Sequence, residues 1–195
     1  NSVNARIEHL EKFIKKDQSD IYLLQELKTI EDGFPKEIIK HADYYSYVNG
    51  QKAWNGVAIL SKEKLEITNT SIPKYDDPNA RFIETEIQLK KIKKNIKLIK
   101  IYLPNGNPIE TEKFDYKIKW MKKFNSYIQE LKDNNIPIII SGDFNVIPTD
   151  DDVYSPENFK NDACAHPLTR EHYRILINMG FTDLVKHFVE GKTNW

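Results

Sequence analysis

With 195 residues, 39% of them hydrophobic and 11% aromatic, the chain is long enough to bury one hydrophobic core. Its 29 basic and 29 acidic side chains balance, and seven Gly and nine Pro are too few for a collagen-like or linker-dominated chain, which excludes disorder as the main state. No apolar run approaches the about 20 residues of a spanning helix, so a soluble protein with no membrane partner is expected, and the single Cys164 excludes both a disulfide framework and a thiolate metal cage, which fits a reducing, cytoplasmic compartment.

Ile7, Leu10, Phe13 and Ile14 recur at helical spacing and predict an amphipathic helix over Ala5 to Lys16, with Asn4 as its cap. Ile21 to Gln25 reads as a buried strand and Pro35 to Ala42 as a short helix. Aromatic and β-branched runs at Tyr44 to Val48, Val57 to Ser61, Phe82 to Leu89 and Ile96 to Leu103 read as strands joined by turns. From Glu112 to Lys132, the spacing of Phe114, Ile118, Met121, Phe124, Ile128 and Leu131 predicts a long amphipathic helix with a lysine-rich opposite face. Ile136 to Ser141 is a short β-rich run, and Gly142 to Thr149 is loop-like. Thr169 is placed to cap a helix through Met179 that stops at Gly180, after which Thr182 or Asp183 can open another. Several strands adjacent in sequence, with helices between and after them, predict an α+β fold of sheets packed face to face with helices outside.

The zero net charge hides a segregation. Residues 90–132 carry twelve lysines against four acidic residues, an excess of eight positive charges, so the remainder of the chain is negative by the same amount. Part of that remainder lies between Asp143 and Asp162, where six acids face one lysine. A solvated helix face beside an acidic loop accounts for this pattern, and so does a surface for an anionic polymer beside a cation site. The four arginines, at 6, 81, 170 and 174, are more informative than any one lysine, because a guanidinium offers a fixed fork to phosphate or carboxylate.

Polar groups suited to chemistry collect where strands end. Glu26 closes the run Ile21-Tyr22-Leu23-Leu24-Gln25; it is either a hard oxygen ligand projecting into a cleft or a strand-end carboxylate reaching solvent or Lys28. Asp143 and Asn145 are one residue apart after an apolar strand, so an extended backbone would point both to the same side. Such a pair can activate a water and orient a phosphate, or it can form a turn that ends the strand. Tyr102 and Asn105 stand at another strand-to-turn junction. Asn55, in an Asn-Gly turn, and Arg81, beside a strand, carry weaker signals by themselves.

Taken in order, Leu24-Gln25-Glu26, the block from Asn55-Gly56 to Ser61, Arg81-Phe82-Ile83-Glu84, Tyr102-Leu103-Pro104-Asn105-Gly106 and Gly142-Asp143-Phe144-Asn145 are a combined signature. The chain closely resembles the exonuclease III family of abasic-site endonucleases, within the deoxyribonuclease I-like endonuclease/exonuclease/phosphatase superfamily. That resemblance implies a four-layer α/β sandwich with the active cleft at the strand ends. It implies Mg²⁺ (or Mn²⁺) at Glu26, with Asp143 and Asn145 as further contacts. Asp143 is implied to activate water, Asn145 to orient the phosphate, and Tyr102 to stand beside the scissile bond. Asn55, Arg81 and Asn105 fall in blocks that line the family's DNA cleft, and Lys113, at the start of a lysine-rich helix face, is placed to meet the backbone.

The implied activity is a DNA-repair nuclease that breaks the phosphodiester 5′ to an abasic site, with 3′-to-5′ exonuclease and 3′-phosphatase activity. Its implied partner is double-stranded DNA with abasic sites or 3′ ends, met by a monomer in a bacterial-type cytoplasm at the nucleoid. Two alternatives remain: another metal-dependent phosphodiesterase of the superfamily, acting on RNA, inositol phosphates or phospholipid head groups, and a non-catalytic module binding DNA or protein. Residues 1–195 read as a single domain that lacks the family's first strand and its C-terminal strands. None of the histidines at 9, 41, 166, 172 and 187 occupies a matching motif, so this chain alone is expected to show little or no nuclease activity.

Overall fold

The computed structural model of the chain describes residues 2–89 and 94–188, and these fall into two compact units. The first comprises residues 1–102 and 136–143. Within it, β1 (Ile21–Gln25), β2 (Tyr45–Asn49) and β3 (Val57–Ser61) form an antiparallel sheet in the order β1-β3-β2. All five residues of the central β3 are buried, which is why its sequence is an unbroken apolar run ending in serine. Alternation along the strand divides their work. Ala58 and Leu60 pack with Tyr22, Ile14 of α1 (Ile7–Asp17) and Ile39 of α2 (Lys36–His41), whereas Val57 and Ile59 pack with Ile83 of the second sheet.

That second sheet has the order β4-β5-β6-β7, built from Ile67–Asn69, Phe82–Leu89, Lys94–Tyr102 and Ile138–Asp143. The first three strands are antiparallel, while β6 and β7 run parallel from Lys97 opposite Ile138 to Tyr102 opposite Asp143. A parallel neighbour needs a long crossover, supplied here by residues 103–137. The parallel pair also needs Gly142, because a Cβ there would sit 2.0 Å from the Ile101 carbonyl oxygen. Gly142→Ala is therefore expected to cost about 1–3 kcal/mol, as overpacking typically does. Urea unfolding reads this directly, and an unchanged midpoint would show that the strands separate freely at this point.

Inside the same sheet, β5 buries a carboxylate on the face that Glu84 shares with Glu86 and Gln88, where alternation with Ile83 and Ile87 predicts a polar residue but not its burial. Glu84 is fully buried, and it accepts hydrogen bonds from the Thr68 hydroxyl, from Asn69 Nδ2 at 2.9 Å and from Lys97 Nζ at 2.9 Å. Lys97 also reaches Glu86 at 3.3 Å.

The second unit comprises residues 103–135 and 144–195. Its longest element, α3 (Glu112–Asp133), buries Phe114, Ile118, Trp120, Met121, Phe124, Ile128 and Leu131. It meets α4 (Pro167–Asn178), where Asn125 Nδ2 donates to the His172 carbonyl at 2.9 Å. A short α5 (Leu184–Phe188) follows, opened by Asp183, whose Oδ1 accepts from the backbone of Val185 and Lys186.

The expected elements agree with these to within a few residues, and three local readings are corrected. Asn4 does not cap the first helix: it opens a 3-10 turn over Asn4–Arg6 and donates to the Gly33 carbonyl. Thr169 does not cap α4 either. The cap is His166, whose ring nitrogen accepts from Leu168 N ahead of Pro167, while the buried Thr169 hydroxyl donates to the Ala163 carbonyl at 2.7 Å. Gly142 and Asp143 belong to β7 rather than to the loop after it. Strand β4 was not foreseen, since three residues carry too little pattern to announce a strand.

Candidate active site

In the first unit, the ends of β1, β6 and β7 gather the polar groups. Beyond Gln25 the chain turns sharply, with Glu26 at φ 53° and Lys28 at φ 54°. The Asn55-Gly56 turn clamps this bend: Leu27 N donates to the Gly56 carbonyl and Lys28 N to the Asn55 carbonyl. Both turn residues have positive φ, and a Cβ on Gly56 would press on the Leu27 side chain at 2.9 Å, so only glycine fits where the two segments meet. Glu26 thereby projects from a fixed bend, where Lys28 Nζ lies 3.5 Å from its carboxylate.

Tyr102 and Asp143 are direct partners at the C-terminal ends of two parallel strands, a position where α/β sheets commonly bind ligands. Burial raises the Tyr102 phenol above its usual range, and the negative charges of Glu26 and Asp143 and a hydrogen bond to Glu26 raise it further, against the opposing pull of Arg81. Arg81 is anchored to the same residue. Its Nη1 donates to the Tyr102 carbonyl at 3.0 Å, Tyr102 N donates back to the Arg81 carbonyl, and the guanidinium lies 5.0 Å from the Tyr102 ring centre. Glu26, Arg81, Tyr102 and Asp143 thus form one constellation around the Tyr102 side chain and backbone.

Lys100 joins this group without having been foreseen. It is buried on β6 and donates to the Gln25 side-chain carbonyl. Burial pulls its pKa down to about 8, while the charge of Asp143 acts in the opposite sense. Asn55 is largely inward: its amide donates to Gln51 at 2.8 Å and to Asn79 at 3.2 Å, and Gln51 in turn accepts from Ala80 N. Its side chain braces the loop around the Glu26 bend.

In the second unit, Asn105 and Asn145 come together. Asn105 Nδ2 donates to Asn145 Oδ1 at 3.2 Å, and Asn145 Nδ2 donates to the Leu103 carbonyl at 2.8 Å. Asn145 has φ 46°, in the left-handed region, so the extended backbone that would have put it on the same side as Asp143 is interrupted at this residue. Lys113 is exposed on the first turn of α3, and Lys119, Lys122 and Lys123 are exposed further along the helix. Lys117, in the same run, is fully buried and is not available to a ligand.

Among the described residues no group of three or more His, Cys, Asp and Glu side chains is arranged to hold a metal. A hard divalent ion that keeps several waters needs fewer: Mg²⁺ is commonly bound through one or two carboxylates plus substrate phosphate. Glu26 and Asp143, whose charges both act on Tyr102, are the two carboxylates that could hold such an ion.

Comparison with known proteins gives the family and the fold. The model of the endonuclease/exonuclease/phosphatase family matches residues 1–193. The chain is 33% identical to exodeoxyribonuclease III of Haemophilus influenzae, over 94% of this chain and 71% of that protein. An AP endonuclease structure from Archaeoglobus fulgidus superimposes with a TM-score of 0.87 at 30% identity, covering 96% of this chain and 70% of that one. The Neisseria 3′ phosphatase NExo, solved with a product DNA hairpin, gives a TM-score of 0.87 at 28% identity over 96% and 71% of the two chains. The chain belongs to the endonuclease/exonuclease/phosphatase family, with the deoxyribonuclease I-like fold, and within it to the exonuclease III type of abasic-site endonuclease.

Proposed function

We propose that this protein is a DNA-repair nuclease that hydrolyses the phosphodiester 5′ to an abasic sugar, acts also as a 3′-to-5′ exonuclease and 3′-phosphatase, and depends on Mg²⁺ (or Mn²⁺). The reading is carried by the gathering of Glu26, Arg81, Tyr102 and Asp143 at the strand ends of a chain one third identical to an exodeoxyribonuclease III. Glu26 and Asp143 would hold the ion, with the Asn145 carboxamide as a further contact, and the ion would offset charge on the phosphate oxygens. Asp143 takes a proton from the attacking water. Bond breakage at phosphorus releases the 3′ oxygen of the preceding nucleotide as a hydroxyl and leaves the phosphate on the abasic sugar.

The remaining side chains bind and orient. A phenol held above its ordinary pKa stays protonated at neutral pH, so Tyr102 remains a hydrogen-bond donor beside the carboxylates. Arg81, pinned on the Tyr102 carbonyl and ring, offers its fork to a phosphate. Asn145 and Asn105 present amides to the DNA, and Lys113 adds a charge for the backbone, which gives affinity without sequence preference.

The natural full-length protein is expected to nick a duplex at a single abasic analogue, leaving a 3′-hydroxyl, and to stop when EDTA is added. Parallel reactions with undamaged duplex, RNA, an inositol phosphate and phospholipid vesicles settle the substrate. Faster turnover of any of these than of abasic DNA, or incision that persists in EDTA, would overturn the proposal.

A further inference from the structure

Lysine is almost never fully buried unless its ammonium is paired, because removing an unpaired charge from water is costly. Lys117 nevertheless sits at 0% exposure in the second turn of α3. Its position explains how: residue 117 follows Phe114 by three and precedes Met121 by four, so the helix turns it onto the apolar stripe rather than onto the lysine-rich face. The stem then passes Gly106, where a Cβ would lie 2.5 Å from Lys117 Cδ, so glycine leaves the path open. At its end the ammonium donates to the Asn105 carbonyl at 2.9 Å and to the Asn145 carbonyl at 2.6 Å, with Cys164 Sγ at 3.9 Å.

Those two carbonyls belong to the two residues whose amides already meet, Asn105 Nδ2 to Asn145 Oδ1 at 3.2 Å. The result is a closed ring, ammonium to backbone on both sides and amide to amide across. Asn145 is also in a left-handed backbone conformation, which a non-glycine residue keeps when its surroundings hold it there.

Resting on the nuclease reading above, we infer that Lys117 is a positioning residue: it fixes the backbones of Asn105 and Asn145 so that their amides are preset for the phosphate, without itself touching substrate. The ammonium does this better than a neutral donor, since a charge-assisted bond is roughly twice as strong and one nitrogen serves both loops. Errors of about 1 Å in such groups cost on the order of 10²-fold in rate.

The test compares Lys117→Met and Lys117→Arg in the natural full-length protein, with abasic duplex as substrate. Lys117→Met should lower kcat by about 10–100-fold with KM changed less than about threefold, and Lys117→Arg should recover at least about tenfold of a full loss. A folded Lys117→Met protein that keeps its kcat, or an arginine variant no better than methionine, overturns the inference. If Lys117→Met does not fold, NMR of the unaltered protein decides: slow exchange of the Lys117 ammonium with couplings to both carbonyls supports the role, and a freely exchanging ammonium overturns it. Absence of abasic incision by the unaltered protein would instead remove the nuclease reading, which the NMR result does not depend on.

Discussion

Replacing Asp143 by Asn in the natural full-length protein is expected to lower the rate of abasic-site incision by about 10²–10⁴-fold, the usual contribution of a positioned general base. Asn keeps the shape of the side chain and its capacity to accept a hydrogen bond, so the parallel register of Tyr102 and Asp143 should survive and DNA should still bind. What goes is the ability to take a proton from water at neutral pH. The loss should therefore fall on kcat, read in single-turnover reactions with saturating protein, while binding measured without metal stays within about threefold. A second consequence follows from the electrostatics: the Asp143 charge helps to raise the Tyr102 phenol, so its titration, followed by ring-carbon NMR, should move down in the variant. A variant that keeps its kcat would remove Asp143 from the chemistry and return it to the role of a strand-ending turn residue.

The largest expected effect on stability lies away from the site. Lys97→Met takes the ammonium partner from the fully buried Glu84 carboxylate while its bonds from Thr68 and Asn69 remain, and removing one partner of a buried pair costs about 3–5 kcal/mol. Replacing both partners should do much less harm, because a pair exchanged for apolar groups of similar volume is often neutral. Guanidinium unfolding of Lys97→Met, of Glu84→Met and of the double variant makes the comparison; a single variant as stable as the parent would show that the carboxylate is not trapped.

The same pair sets a pH dependence of definite sign. Burial works against the Lys97 charge, yet the hydrogen bonds and charges of Glu84 and then Glu86 outweigh it and hold its pKa above the ordinary value. Its contribution to stability is fully present below the unfolded value of about 10.4 and is lost as pH rises through the folded one. Alkaline unfolding should therefore be steeper in the parent than in the double variant.

The sequence announces those elements that local physics defines. Strands β1, β3 and β5 have the expected bounds because each is a largely apolar or β-branched run closed by turn residues, and α3, which runs one residue past its expected end, was legible because six apolar side chains mark its buried face. Helix caps were less legible. Thr169 is a good capping residue by type, but its hydroxyl is taken by the Ala163 carbonyl, a contact that depends on tertiary structure; Pro167 at the first helical position was the better local marker.

The carboxylates and the phenol could be read because polar groups are conspicuous at the ends of apolar strands. Lys100 and Lys117 could not, since each was one among twelve lysines in a segment whose obvious reading was a solvated face. A signal for Lys117 was nonetheless present in its register with Phe114 and Met121. For Lys100 the comparable sign was its place among the apolar residues of β6.

These interior lysines alter what the basic segment means for a polyanion. Lys100 on β6 and Lys117 on α3 are buried, and Lys97, on the other face of β6, is largely covered and paired with Glu84 and Glu86, so three of the twelve charges are engaged inside the protein rather than presented to the ionic atmosphere of DNA. Release of condensed counterions, which scales with the phosphates neutralised, then rests on lysines such as 113, 119, 122 and 123 along the outer side of one helix. The formal excess of eight overstates the grip: part of this positive charge is used as internal scaffolding, and what remains outside suits an enzyme that must let go of undamaged DNA.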